Sequence, residues 1–162
     1  MRRAFFIIAA LALAACGAAS PKGPDAAADG KAFLVKNAHA AGVVVTPSGL
    51  QYQVLHSGPS TGLKPKLADE VKVDYEGALL DGQVFDSSYQ RGEPVVMTVR
   101  ELVPGWQEAL QMMRPGDEWR VWLPAKLGYG DKGAGPIPPG SVLVFKLHLI
   151  DVLPDQSSVG RG

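Results

Sequence analysis

Three features of the sequence could carry covalent, metal-dependent or phosphate chemistry, and their neighbours argue against each. Residues 58–62 read Gly-Pro-Ser-Thr-Gly, the G-x-S-x-G string of serine hydrolases, but that motif requires an apolar helix after it and residues 63–66 predict a loop. His39, His56 and His148 lie far apart and have no carboxylate at ligand spacing, so the sequence predicts no metal site. Residues 130–135 are glycine-rich, but Pro138 and Pro139 follow them, so they predict a mobile loop and not a phosphate cradle; the chain also has no Walker A string. A site without nucleophile, metal or cofactor is therefore expected.

A second set of residues combines aromatic rings with isolated polar groups beside predicted turns. It comprises Tyr75-Glu76-Gly77, Val84-Phe85-Asp86, Val103-Pro104-Gly105-Trp106, Leu127-Gly128-Tyr129-Gly130 and Ile137-Pro138-Pro139-Gly140. Apolar residues next to loops, with a few polar groups among them, are typical of a ligand pocket. Two alternatives stay open at this point: Trp106 and Phe145 also suit an ordinary core, and Asp86 could simply cap the serines that follow it.

The elements that would position these residues are mostly strands. Alternating apolar and polar residues predict strands at 50–55, 70–76 and 143–149, and the change to this period begins at about residue 44. Runs rich in β-forming residues predict two more strands, at 95–99 and 119–123. Helical spacing in this region is confined to Trp106, Ala109, Leu110 and Met113, after Pro104 and before the Arg-Pro-Gly-Asp turn at 114–117. One short helix on an antiparallel sheet with one solvated face predicts an α+β roll.

The amino-terminal segment has the features of an export signal. Arg2 and Arg3 precede an apolar run at 4–15, and the lone cysteine, Cys16, follows Leu-Ala-Ala. This resembles the bacterial lipobox, in which the cysteine is acylated; the alternative is a plain secretory peptide with an incidental cysteine. Three acyl chains would hold the protein on a membrane.

The sequence also indicates the domain boundaries, and its charge and cysteine content exclude some partners and linkages. Residues 1–15 are predicted to be the signal peptide, 16–43 the lipidated Cys16, a flexible tether and a short helix, 44–154 one domain, and 155–162 a tail. Within the second segment, 17–30 are assigned to the tether and 31–41 to the helix. Sixteen basic and sixteen acidic residues balance, so no net field favours nucleic acid. One cysteine excludes an internal disulfide.

The motifs at 84–94 (VFDSSYQRGEP), 103–106 (VPGW) and 137–145 (IPPGSVLVF) give the chain its clearest resemblance. From about Pro47 to Leu153 it resembles the FKBP-type peptidyl-prolyl cis–trans isomerases, the macrolide-binding immunophilins. Residues 48–52 and 108–111 are similar to the bacterial envelope branch, which includes the infectivity-potentiator-like proteins. The resemblance implies a curled antiparallel sheet of five to six strands around one short helix, with an apolar pocket between them.

The resemblance also implies a role for each matching residue. Trp106 would form the pocket floor, Tyr75, Phe85 and Phe145 its aromatic walls, and Met97 and Val103 its aliphatic wall. Tyr129 would offer its hydroxyl, and Ile137 its backbone N–H, to the substrate carbonyl. Asp86 would lie at the rim, held by the Tyr75 hydroxyl. Val95 stands where a pocket phenylalanine is common, which predicts a thinner wall.

The implied activity is isomerisation of X-Pro bonds during folding of exported proteins, with no covalent intermediate. Expected partners are proline-containing polypeptides, macrolides such as tacrolimus or rapamycin, and a membrane reached through the lipid anchor. The chain is expected to be monomeric and to lie in the bacterial envelope, facing the periplasm from the outer membrane. Two alternatives are a non-catalytic chaperone or assembly module of the same fold, and a structural lipoprotein without a ligand.

Overall fold

The computed structural model describes residues 26–155. The predicted signal peptide, Cys16 and nearly all of the predicted tail lie outside these residues. In chain order the helices and strands are α1 (Ala26–Asn37), β1 (Val43–Val45), β2 (Gln51–His56), β3 (Glu70–Leu79), β4 (Val84–Ser87), α2 (Ser88–Arg91), β5 (Val95–Thr98), α3 (Pro104–Met112), β6 (Glu118–Leu123) and β7 (Leu143–Leu153). Within residues 26–155, no helix is both long and apolar enough to cross a bilayer.

The strands form one antiparallel, seven-stranded sheet in the order β1-β2-β6-β7-β3-β4, and β5 also pairs with β3. The α+β class is confirmed. The strand count exceeds the expected five to six because two short strands without a predicted counterpart add to the sheet: β1 has three residues and β4 has four. Runs this short carry little alternation from which to predict them.

The inner face of the sheet packs on α3. Pro104 occupies the first turn of this helix, where a missing backbone N–H costs nothing. The predicted stripe of Trp106, Ala109, Leu110 and Met113 is buried, as expected from its helical spacing. Gly105 permits the close approach, because a Cβ at this position would lie 2.4 Å from Leu123 Cγ. The core therefore lies between α3 and the strands.

The outer face is not fully solvated, which differs from the prediction. The first helix, α1, begins at Ala26, so residues 26–30 are helical although they were assigned to the tether. A short isolated helix is marginal in water, and contacts with the domain stabilise it. Gln51 of β2, only 4% exposed, accepts a hydrogen bond from Asn37 Nδ2 (2.9 Å) and donates one to the Leu34 carbonyl (2.8 Å).

Candidate active site

A cavity of about 610 Å³ opens between α3, the inner face of the sheet and the loop that precedes β7. The structure brings every residue of the predicted site to this one cavity. Its lining comprises Tyr75, Phe85, Asp86, Met97, Glu101, Leu102, Val103, Trp106, Tyr129, Ala134, Gly135, Pro136, Ile137 and Phe145. These residues come from strands, a helix and two loops, so the sheet and α3 together define the shape of the cavity.

Four aromatic rings form the floor and walls through edge-to-face contacts. Trp106, at the start of α3, lies with its ring centre 5.0 Å from that of Tyr75 and 5.2 Å from that of Phe145, at interplanar angles of 84° and 88°. Phe85 meets Phe145 at 5.6 Å and 87°. Perpendicular contacts of this kind are favourable because the positive ring edge faces the negative ring face. Trp106 and Phe145 are each only 4% exposed, so they belong to the core and to the cavity at once.

Gly77 on β3 is required by this arrangement of rings. A Cβ there would lie 2.5 Å from Phe145 Cε1 and 2.8 Å from two ring carbons of Phe85. Any side chain at this position would push the two rings apart or into the cavity. The Tyr-Glu-Gly string at 75–77 therefore combines a wall residue with the space in which two other wall residues pack.

The polar side of the cavity is a hydrogen-bonded group of three residues. The Tyr75 hydroxyl donates to Asp86 Oδ2, as the resemblance implied, and Arg91 Nη1 donates to Asp86 Oδ1. Arg91 Nη2 also donates to the Tyr75 hydroxyl oxygen (2.9 Å), and its guanidinium lies 5.5 Å from the centre of the Tyr75 ring. Asp86 is thus more than a turn residue, because it joins β4, β3 and α2 at the edge of the cavity.

The protonation states of this group follow from its contacts. Burial alone would raise the pKa of Asp86, but the hydrogen bonds from Tyr75 and Arg91 outweigh it and hold that pKa below its ordinary value. Burial, together with the hydrogen bond to Asp86, raises the pKa of Tyr75. At neutral pH the rim therefore carries a carboxylate, a guanidinium and a neutral phenol that can donate.

A buried serine on α2 joins the Tyr75–Asp86–Arg91 group to strand β3. Ser88, the first residue of α2, donates to Asp74 Oδ1 (2.7 Å) and accepts a hydrogen bond from the backbone N–H of Tyr75 (2.9 Å). The same short helix is capped by Ser87, whose hydroxyl accepts from the backbone N–H of Gln90. The two hydrogen bonds of Ser88 attach α2, and with it Arg91, to β3.

Two further residues of the predicted site, Tyr129 and Ile137, lie in the loop before β7. Tyr129 is 42% exposed, which leaves its ring at the cavity mouth. The backbone N–H of Ile137 donates to the Ala134 carbonyl (2.8 Å), and Ala134 N–H donates back to the Ile137 carbonyl (3.0 Å). The amide that was expected to bind substrate is thus already bonded within the loop, and Ile137 faces the cavity as an apolar wall.

The sequence profile described as FKBP-type peptidyl-prolyl cis-trans isomerase matches residues 62–150, more than half of the chain. This chain belongs to the FKBP-type family. A second profile, for the domain amino-terminal to FKBP-type peptidyl-prolyl isomerase, matches residues 10–54.

Relatives of this FKBP-type chain include two bacterial proteins, one named as an outer membrane protein and one as an isomerase. It is 48% identical over 132 residues to the "Outer membrane protein MIP" of Legionella longbeachae, covering 81% of this chain and 56% of that protein. It is 47% identical over 128 residues to the FKBP-type 22 kDa peptidyl-prolyl cis-trans isomerase of Escherichia coli, covering 78% and 61%. The chain therefore spans little more than half the length of these relatives.

Solved structures agree with the fold of the FKBP-type chain. The crystal structure of FkpA from Escherichia coli matches with a TM-score of 0.77 and 42% identity, over 80% of this chain and 60% of that one. A peptidyl-prolyl cis-trans isomerase from Pseudomonas syringae matches with a TM-score of 0.73 and 35% identity, over 80% and 94%.

Sequence reasoning did not find every residue of the FKBP-type site. Arg91 was missed, although it lies five residues after Asp86, in the motif that carried the resemblance. Glu101 and Leu102 also line the cavity, in and just after the 3₁₀ turn Val99–Glu101. Val95, expected to leave a thinner wall, is half-buried and packs against the core. The serine-hydrolase string lies in a loop, where Gly58 N–H donates to Asp117 Oδ1 (2.7 Å).

Proposed function

We propose that this chain catalyses cis–trans isomerisation of X-Pro bonds in polypeptides and so assists the folding of exported proteins. The observation that carries the proposal is the cavity in which four aromatic rings lie beside the hydrogen-bonded Asp86 and Arg91 and the Tyr129 side chain. Membership of the FKBP-type family and the names of its relatives support the same activity.

The apolar part of the cavity lowers the barrier to rotation about the X-Pro bond. Rotation about the X-Pro bond breaks no covalent bond but must overcome amide resonance, a barrier of roughly 18–20 kcal/mol. The planar amide is more dipolar than the twisted transition state, so a pocket that excludes water penalises the ground state more. Trp106, Phe85 and Phe145 supply such a pocket, and the apolar proline ring can pack on the Trp106 floor. Each 1.36 kcal/mol removed from the barrier gives about tenfold in rate.

The polar part of the cavity holds the peptide in place. The Tyr129 hydroxyl is the group we assign as a donor to the substrate carbonyl. Asp86 fixes the Tyr75 ring through its hydroxyl and keeps a negative charge at the rim. Ile137 contributes apolar wall, and its amide reaches a substrate only by sharing or breaking its bond to Ala134.

A protease-free prolyl-isomerase assay on the full chain, solubilised in mild detergent, tests the proposal. We expect faster relaxation of a proline-containing peptide than the uncatalysed 10–100 s, in proportion to protein concentration. A macrolide such as rapamycin or tacrolimus is expected to compete for the same pocket. A chain that binds the peptide but leaves its relaxation rate unchanged would instead be a binding module of the same fold.

We further propose that Cys16 carries a lipid anchor that holds the protein at the outer membrane, facing the periplasm. The lipobox-like sequence supports the anchor, and the printed name of the Legionella longbeachae relative supports the membrane. Cys16→Ala should leave isomerase activity intact and release the protein from membranes, because Cys16 precedes the predicted domain at 44–154 in the sequence. Fractionation of cells checks this; equal membrane association of variant and wild type would contradict it.

The chain is also proposed to be a monomer. Gly30, Leu34 and Asn37 of α1 all contact the same chain's own domain, so this face of the helix is not free to pair with a second copy. Sedimentation at micromolar concentration tests the assignment, and a stable dimer would contradict it.

A further inference from the structure

The amino-terminal helix α1 is fixed to the outer face of the sheet, on the opposite side from the cavity. Its carboxyl-terminal half is held by Gln51, which lies directly opposite Trp122 in the β2–β6 register. Trp122 is 7% exposed, although its neighbours Val121 and Leu123 point into the inner core. Side chains alternate between faces along a strand, so Gln51 and Trp122 both belong to the outer face.

The amino-terminal half of α1 makes unusually close contacts with the segment before β7. Gly30 is buried, and a Cβ on it would lie 2.7 Å from Val142 Cγ2. A second contact between α1 and this segment also depends on a glycine, here on the segment itself: a Cβ on Gly140 would lie 2.8 Å from Ala27 Cβ. One glycine on each partner therefore brings the helix and this segment closer than side chains would permit.

The segment at Gly140 is also the base of the loop that carries Tyr129, Ile137 and three further cavity residues. The backbone N–H of Gly140 donates to the Gly130 carbonyl (2.9 Å), directly after Tyr129. On the other arm, the Ser141 hydroxyl donates to the Pro138 carbonyl (2.7 Å), directly after Ile137. Both arms of the loop thus converge on the residues that α1 contacts.

We propose that α1 is a positioning element for the isomerase site: by fixing Gly140 and Val142 from the outer face, it sets where Tyr129 and Ile137 lie at the cavity. This inference rests on the proposed function. The residues argued to act in this way, Gly30 and Val142, do not line the cavity. Both residues act through the segment at Gly140, and neither of them contacts the substrate.

Gly30→Ala separates the helix from the loop base by adding a single methyl group. The new Cβ would meet Val142 Cγ2, so one partner must move, while the helix itself is favoured because alanine is a better helix former than glycine. We expect kcat/KM to fall about three- to tenfold, since one hydrogen bond and part of one wall are misplaced. Lys31→Ala, on the exposed side of the same helix, is the matched control and should leave kcat/KM unchanged.

Rescue distinguishes positioning from general damage. Val142→Ala removes Cγ2, and the next atoms that the Gly30→Ala methyl would meet are Val142 Cβ and N at 3.6 and 3.7 Å, ordinary contact distances. The double variant should therefore recover kcat/KM to the level of Val142→Ala alone. Hydrogen exchange at the Gly140 amide should accelerate in Gly30→Ala and slow again in the double variant.

The outcomes separate this inference from the function on which it rests. A wild-type chain without isomerase activity would overturn the proposed function. An active wild type with a folded Gly30→Ala variant of equal kcat/KM would overturn the positioning role alone. It would also be overturned if the double variant showed no recovery, or if Gly30→Ala lowered the melting temperature but not kcat/KM. Should Gly30→Ala fail to fold, Val142→Leu at the same contact supplies the second test, with the same expected loss.

Discussion

Each face of the sheet is covered by a helix, but the two helices are held by different interactions. On the inner face, α3 buries Trp106, Ala109 and Leu110 in the core. On the outer face, α1 approaches through Gly30, which has no side chain, and through hydrogen bonds to Gln51, while Val35 remains 69% exposed. Apolar burial is the larger source of stability. The outer contacts bury less apolar surface but define the position of the helix closely.

Two of the three buried tryptophans, Trp106 in the inner core and Trp122 on the outer face, provide the strongest test of this comparison. Trp106→Ala and Trp122→Ala should each destabilise the domain by about 3–5 kcal/mol, the usual cost of truncating a large buried aromatic. Urea denaturation measures this loss. The activity of the folded fraction should fall only in Trp106→Ala, since Trp106 lines the cavity and Trp122 does not. A folded Trp106→Ala variant with wild-type activity would contradict the assignment of the pocket.

Asp86→Leu should have the next largest effect. It removes the rim charge and leaves the Tyr75 hydroxyl and Arg91 without their shared acceptor. We expect kcat/KM to fall by roughly tenfold to a hundredfold, the range of a hydrogen bond to a charged group. Near-ultraviolet circular dichroism checks the fold, and Asp151→Leu, an exposed carboxylate on β7, is the control. If folded Asp86→Leu matches the wild type, the carboxylate has only a structural role.

Gln51→Ala tests the outer face alone. It leaves the Leu34 carbonyl and Asn37 amide without their partner, and a lost buried hydrogen bond of this kind costs about 1–3 kcal/mol. Hydrogen exchange should rise throughout α1 and much less in α3. Gln53→Ala, which removes a longer, exposed bond to the Ala41 carbonyl (3.2 Å), should change little. Equal protection of α1 in Gln51→Ala and wild type would show that apolar contacts hold this helix after all.

Tyr129→Phe should have the smallest effect. It removes one hydroxyl and keeps the ring, and a neutral hydrogen bond contributes about 0.5–1.5 kcal/mol net. We expect a loss of a few-fold in kcat/KM with unchanged stability, measured with the same peptide as for Asp86→Leu. A loss as large as that of Asp86→Leu would instead make the hydroxyl the main polar group of the site.

The sequence predicted the inner face well, because burial there repeats at regular intervals. Strands 70–76 and 143–149 alternate, and α3 presents its stripe at helical spacing, so these local patterns indicate which side chains face the core. The nine residues that the motif matches assigned to the pocket, from Tyr75 to Phe145, all line the cavity. Their roles in binding and catalysis stay predictions. For those elements the chain itself specified both the secondary structure and the buried face.

Only the tertiary structure determined the outer face and the polar connections of the site. The helix α1 includes residues 26–30 and packs on Val142 through Gly30, and a glycine adds no apolar side chain from which to predict such a contact. Arg91 is exposed and polar, so nothing in its spacing indicated that it binds Asp86 and Tyr75. Nothing in the sequence indicated that the Ile137 amide, expected to bind the substrate, already donates to the Ala134 carbonyl within the loop. Contacts of this kind join residues that are distant in sequence or lack a periodic pattern, so they exist only once the sheet has brought them together.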